Sequence, residues 1–113
     1  MTSNANAFMW VKRYIEAISY KWEPRSAALK KARRVSQLPD KRTKWEYQCN
    51  HCNHWFKQKE VQIDHIIPKG RYTKDTFFVW LDRLFCPVTG FQILCRPCHV
   101  IKSNTEKANG EYK

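Results

Sequence analysis

Two stretches of this sequence combine residue types that handle protons and metals. Val61-Gln62-Ile63-Asp64-His65-Ile66-Ile67-Pro68 is a short β-branched run that carries an adjacent Asp-His pair and stops at a proline. About thirty residues later, Cys95-Arg96-Pro97-Cys98-His99-Val100-Ile101-Lys102 places a second His directly after a cysteine pair. An Asp and a His together can hold a divalent cation with positions left open for phosphate and water, and a second His can then take a proton from that water. The plainer reading of Asp64-His65 is a capped surface pair at a strand end. Nothing in the chain has the pattern of a Ser- or Cys-based triad, and with three glycines there is no glycine loop to cradle phosphates.

The cysteines set the frame. Cys49-x-x-Cys52 and Cys95-x-x-Cys98 are two knuckles, each placing two thiolates on one side of a tight turn. Together they complete a tetrahedron around Zn²⁺ with no open position, which is the pattern of structural zinc. A redox role would require both pairs to be redox pairs independently. His51 and His54 are substitute ligands that four cysteines make unnecessary, and Cys86, between Phe85 and Pro87, reads as a buried free thiol. A metal joining residue 49 to residue 98 draws the strand after the first knuckle onto the helix that begins at the second. Asp64 and His65 then come near His99. Neighbours on a strand point to opposite faces, so the strand must twist or end there if both serve one site.

The elements that must position these groups follow from periodicity. Residues 1–6 are polar and small and read as a frayed terminus. A helix is expected over residues 7–21, with Phe8, Val11, Ile15, Ile18 and Trp22 on its inner face. Pro24 opens a second helix over 24–37, whose Ala28, Leu29, Ala32 and Val35 lie opposite Arg25, Lys30, Lys31, Arg33 and Arg34. No acid sits four residues away to pair with these cations, which favours contact with phosphates over a salt-bridged solvent face. Residues 38–43 form a linker of turn formers. A hairpin over 45–57, a strand over 61–67, a loop containing Arg71, a helix over 75–85, a turn at 87–90 and a strand over 91–94 follow. The last helix runs from Arg96 or Pro97 to Ala108 and stops at Asn109-Gly110. Of the five tryptophans, most are expected in the core, with Trp45 and Trp55 covering the zinc.

Charge points to the partner. The chain has 113 residues and a net charge of +11. Residues 1–44 hold eleven basic and three acidic residues, and residues 45–113 hold ten and seven, so most of the surplus lies in the first part. That concentration fits a phosphate-rich partner or an acidic membrane surface, which composition does not separate. No apolar run reaches membrane-spanning length, and Lys12 and Arg13 interrupt any signal-like stretch, so an intracellular setting is expected. There, cysteines serve metals more often than disulfides.

The run Cys-x-x-Cys … Ile-Asp-His-Ile-Ile-Pro … Phe-Gln-Ile-Leu-Cys-x-x-Cys-His-x-x-Lys resembles the HNH endonucleases of the ββα-metal (His-Me finger) group, in particular the small zinc-stapled members found in bacteriophages. The resemblance covers about residues 45–105. It implies an α+β fold: a ββα-metal core over 45–113, stapled by the Cys49, Cys52, Cys95, Cys98 zinc and preceded by a basic helical arm over 1–44. It implies that His65 is the general base and that Asp64 and His99 bind a catalytic Mg²⁺ or Mn²⁺. Lys102, one helical turn beyond His99, would hold the substrate phosphate or neutralise transition-state charge, or else face solvent. Arg25, Lys30, Lys31, Arg33, Arg34 and Arg71 would contact duplex DNA. The expected setting is a host bacterial cytoplasm, with phage packaging or replication proteins as further partners, and a monomer that nicks or a homodimer that cuts both strands. One departure is that the central Asn of the family falls at Gly90. Either backbone makes that brace here, or the chain is a zinc-stapled DNA-binding or interaction module with weak or no turnover. Cleavage of structured RNA is a third reading.

Overall fold

The fold is built on an antiparallel hairpin of two strands, β4 (Val61–His65) and β5 (Phe91–Cys95), in which Val61 faces Cys95, Asp64 faces Gln92 and His65 faces Phe91. Alternation sends Val61, Ile63 and Ile93 to one side, where they meet Tyr47, Leu29, Ala32, Trp45 and Phe56. Burying such side chains contributes about 1.5–3 kcal/mol each. On the other side Leu94 packs with the cysteines. A computed structural model describes residues 2–37 and 39–110; Met1, Leu38 at the head of the expected linker, and the polar tail at 111–113 lie outside them.

Among the described residues four α-helices and a second sheet surround this hairpin, giving a mixed α+β fold. Helix α1 is Thr2–Ser19, α2 is Glu23–Lys31, α3 is Phe77–Leu84 and α4 is Arg96–Ala108. Strands β1 (Arg33–Val35), β2 (Trp45–Gln48) and β3 (Trp55–Phe56) form an antiparallel sheet in that order. Pro97 sits in the first turn of α4, where its missing N–H costs nothing, and Gly110 closes that helix with a left-handed φ of 75°. None of the described helices is long and apolar enough to cross a membrane.

Several expectations need correction. The helix expected over 24–37 stops at Lys31, and Arg33–Val35 pairs with β2 instead, Arg34 facing Glu46. Glu46 is the reason: its carboxylate is only 1 % exposed, and the Arg34 guanidinium meets it at 2.5 Å. A buried carboxylate needs such a cation more than α2 needs another turn. Arg33 and Arg34 also lie over the Trp45 and Trp55 rings at 4.0 and 3.8 Å. The two tryptophans therefore pack under arginines, and Phe56 and Leu94 take the places beside the cysteines. Of the five tryptophans only Trp80 is fully buried, while Trp10 is 55 % exposed.

Helix α1 begins at Thr2, since neither Gly nor Pro interrupts the start of the chain, and residues 2–6 are helical. It ends early because the Ser19 hydroxyl donates back to the Glu16 carbonyl at 2.6 Å, competing with the helical ladder. Its inner face is rotated from the expected one. Phe8 stacks on Tyr72 with centroids 4.2 Å apart, Lys12 lies over the same ring, and Glu16 pairs with Lys69 at 3.1 Å. Val11 and Ile18 are left outside with Trp10 and Tyr14. The helix packs on the aromatic group of Tyr72, Phe77 and Trp80, and that contact covers a narrow stripe. Strand β4 ends at His65, two residues short of expectation, with Ile66 and Ile67 exposed.

Gly90 closes the turn into β5. A Cβ there would lie 2.5 Å from Cys86 Sγ and 2.8 Å from Cys86 Cβ, so no side chain fits without moving backbone. Gly90→Ala is expected to lower unfolding stability by about 1–3 kcal/mol, the usual cost of overpacking. Urea denaturation checks this, and an unchanged midpoint would show that the turn yields freely.

Candidate functional site

The turn after β2 and the start of α4 bring four sulfurs together. Ligand atoms of Cys49, Cys52, Cys95 and Cys98 all lie within 4.8 Å of one another, and Cys52 Sγ is 3.9 Å from Cys95 Sγ. A tetrahedron with bonds of about 2.3 Å has edges of about 3.8 Å, so the four could hold one metal ion. Local backbone makes the cup: the Cys49 N–H donates to the His54 carbonyl, the Asn53 N–H to the Cys49 carbonyl, and Asn53 takes a φ of 63° that Asn tolerates. Asn50 then ties the turn to β5, its N–H donating to the Ile93 carbonyl at 2.7 Å. His51 and His54 are exposed and outside the sulfur group. Burial works against the Cys49 thiolate, yet hydrogen bonds from the backbone of Cys52, Cys95 and His51 outweigh it and draw its pKa down to about 6. Hydrogen bonding with Cys95, then burial and the other thiols, pushes Cys98 up to about 12. Of these two thiols Cys49 is the readier to ionise, and a bound cation would favour the thiolate of Cys98 as well.

Asp64, on β4, is 3 % exposed. Its Oδ2 accepts hydrogen bonds from Gln92 Nε2 at 3.0 Å and from Lys102 Nζ at 3.1 Å. Its Oδ1 lies 3.5 Å from His99 Nε2 on α4. Adjacent corners of an octahedron with bonds of about 2.1 Å are about 3.0 Å apart, so this oxygen and nitrogen would have to close from 3.5 Å to share a hard divalent cation. Lys102 also donates to the His65 carbonyl at 3.0 Å and pairs with Glu106, four residues on. Burial opposes its charge, but the hydrogen bonds and charges of Glu106 and Asp64 outweigh it and hold the ammonium above the usual lysine range. Lys102, largely withdrawn from solvent, is thus an internal counter-ion to Asp64.

His65 points the other way from Asp64. It packs on Phe91 with ring centroids 4.9 Å apart, and its Nε2 lies 3.0 Å from the Leu84 carbonyl at the end of α3. A carbonyl only accepts, so Nε2 carries the proton and Nδ1 of the neutral ring is left as the proton acceptor. Burial lowers the His65 pKa below its ordinary 6.5, aided by Arg25 and Lys69, against the raising effects of the Leu84 bond and Asp64.

The two faces of β4 meet in one groove. A hollow of about 620 Å³ is lined by Glu16, Arg25, Gln62, Asp64, His65 and His99, with Tyr20, Lys69 and Leu84 around them. Among the described residues no strand covers the outer edge of β4. A groove along that open edge is reached from both faces, and the alternation of Asp64 and His65 is no obstacle.

The expected nucleic-acid contacts fall in different places. Arg25 lies in the groove, half-buried, over the Tyr20 and Phe91 rings at 5.0 and 5.6 Å. Lys30 and Lys31 are exposed on α2, and Arg71 is exposed in the loop before α3. Arg33 and Arg34 are on β1, committed to Trp45, Trp55 and Glu46. Gln92, Asn50, Glu106 and the Leu84 carbonyl were not anticipated. Asn50 Nδ2 donates to Gln92 Oε1 at 2.8 Å, so the cysteine turn is linked through Gln92 to Asp64. The i,i+4 spacing of Lys102 and Glu106 was a readable signal; the Asp64–Gln92 pairing required the strand register.

Compared with known proteins, no family model, curated protein or solved structure matches this chain.

The metal-free protein is expected to take up one equivalent of Co²⁺ with the absorption bands of a tetrahedral thiolate site, and Cys95→Ser to abolish those bands. An octahedral spectrum, or uptake unaffected by the substitution, would contradict a closed four-sulfur site.

Proposed function

We propose that this chain is a metal-dependent endonuclease of the HNH type, hydrolysing phosphodiester bonds of duplex DNA. The observation that carries the reading is that one groove is lined by a histidine, whose Nε2 is held by a backbone carbonyl, and by a carboxylate–imidazole pair. In this reading the four cysteines hold a structural Zn²⁺, and Asp64 with His99 holds Mg²⁺ or Mn²⁺. That cation, when bound, supplies positive charge to the phosphate and to the departing 3′ oxygen. His65 accepts at Nδ1 the proton of the attacking water, and the Leu84 carbonyl keeps the ring in that tautomer. Arg25, fixed between two aromatic rings, presents a guanidinium suited to a phosphate oxygen. Lys30, Lys31 and Arg71 add sequence-independent attraction to the backbone. Lys102 holds Asp64 and the His65 carbonyl in place, so its role is positional. Phage origin and a bacterial cytoplasm go with this reading and rest on the resemblance alone.

A second reading is a DNA-binding module without turnover. What favours it is the Lys102 ammonium on Asp64 Oδ2, which competes with a cation for the same carboxylate. Conversion of supercoiled plasmid separates the two. The nuclease reading expects nicking with Mg²⁺ or Mn²⁺, none with EDTA, and a loss of about 10²-fold or more in His65→Ala. Salt-sensitive DNA binding with no cleavage by the wild type would select the module.

The pH profile is a further check. A base must be deprotonated to act, and burial lowers the His65 pKa, so the acid limb of kcat is expected below 6.5. A limb centred above 6.5 would contradict the assignment of His65 as a buried, neutral base.

A further inference from the structure

The Leu84 carbonyl that orients His65 is the last of α3, at the start of a turn that must hold it still. At its far end this turn is tied to the hairpin, the Ile66 N–H donating to the Gly90 carbonyl at 2.9 Å and the Gly90 N–H to the Pro87 carbonyl at 2.8 Å. Gly90 cannot contribute a side chain, because Cys86 occupies the space. The near end is held from elsewhere in the chain. Trp22, between α1 and α2, donates its indole N–H to the Cys86 carbonyl at 2.6 Å, across 64 residues of sequence. Its ring meets Phe85 edge-on, with centroids 5.5 Å apart at 89°. Phe85 and Cys86 are the two residues directly after Leu84. Trp22 also stands at the N-cap position of α2, its backbone carbonyl accepting from the N–H of Arg25, which lines the groove. A single side chain thus joins the basic arm to the turn that orients His65.

We propose that Trp22 is a positioning residue for His65: its indole N–H fixes the Cys86 carbonyl, and through it the Leu84 carbonyl against the His65 ring. The consequence for catalysis rests on the nuclease reading; the consequence for the ring does not. A fixed acceptor selects one tautomer, and a mobile one lets the ring rotate or exchange its proton between nitrogens. Residues outside the HNH-like segment then belong to the working site, and the arm does more than attract DNA.

The test compares Trp22→Phe, which keeps an aromatic ring against Phe85 and removes the donor, with Phe85→Leu, which removes the ring contact and keeps the donor. The first readout is ¹⁵N NMR of the His65 imidazole in the metal-loaded protein. Wild type and Phe85→Leu are expected to show a protonated Nε2 and a bare Nδ1, and Trp22→Phe an averaged, exchange-broadened ring. The second readout is plasmid nicking. General-base catalysis is worth about 10²–10⁴-fold, and partial loss of its aim is expected to lower kcat about tenfold with KM for DNA unchanged. If the wild type does not cut, the nuclease reading fails and the ring signals still decide the role of Trp22. Unchanged His65 signals in Trp22→Phe would overturn the proposal, as would equal disturbance by Phe85→Leu. If Trp22→Phe no longer folds, Trp22→His, which retains a ring N–H, must keep the wild-type ring signals for the proposal to stand.

Discussion

Four sulfurs crowded within 4.8 Å are the constraint on which the rest of this structure depends. They join the turn after β2 to the first turn of α4, and so fix where α4 leaves the hairpin. His99 directly follows the second cysteine pair, and its distance to Asp64 follows from that junction. The same constraint runs through polar contacts: Asn50 sits inside the first cysteine turn and holds Gln92, which holds Asp64. The four sulfurs could hold one cation, and binding it would then be part of the folding free energy. In a chain of 113 residues, whose core can be only modest, such a staple would carry a large share of the stability.

Asp64 poses the converse problem of a carboxylate almost wholly removed from water. Gln92 and Lys102 compensate it, and Glu106 in turn accepts from Lys102. A buried ion pair of this kind adds little net stability but is costly to break one-sidedly. It does preserve the geometry of the carboxylate, with Oδ1 turned toward His99. The proposed nuclease uses that arrangement as a cation site kept in shape by an internal ammonium. Placing the proton acceptor on the opposite face of β4 separates it from the carboxylate while one open strand edge serves both.

Much of the site was legible in the sequence because its signals are local. The cysteine spacings named the four sulfurs, the β-branched run before Pro68 placed Asp64 and His65 on a strand, and Pro97 and Gly110 bracketed the last helix. What escaped depends on partners distant in sequence. Arg33 and Arg34 continue a helical pattern, and only the buried Glu46, twelve residues beyond Arg34, shows why the chain turns to strand there. The inner face of α1 is set by Tyr72, whose stacking with Phe8 no periodicity in α1 reveals. Gln92 acquires a role only through the register of β4 on β5.

Manganese binding tests the central claim, a second cation site on Asp64 and His99 separate from the sulfurs, most directly. Electron paramagnetic resonance of Mn²⁺ titrated into the zinc-loaded protein would count the ions held. The account predicts one bound Mn²⁺ per chain, lost in both Asp64→Asn and His99→Ala while the thiolate-bound zinc is retained. Absence of Mn²⁺ binding in the wild type, or binding that survives both substitutions, would contradict it.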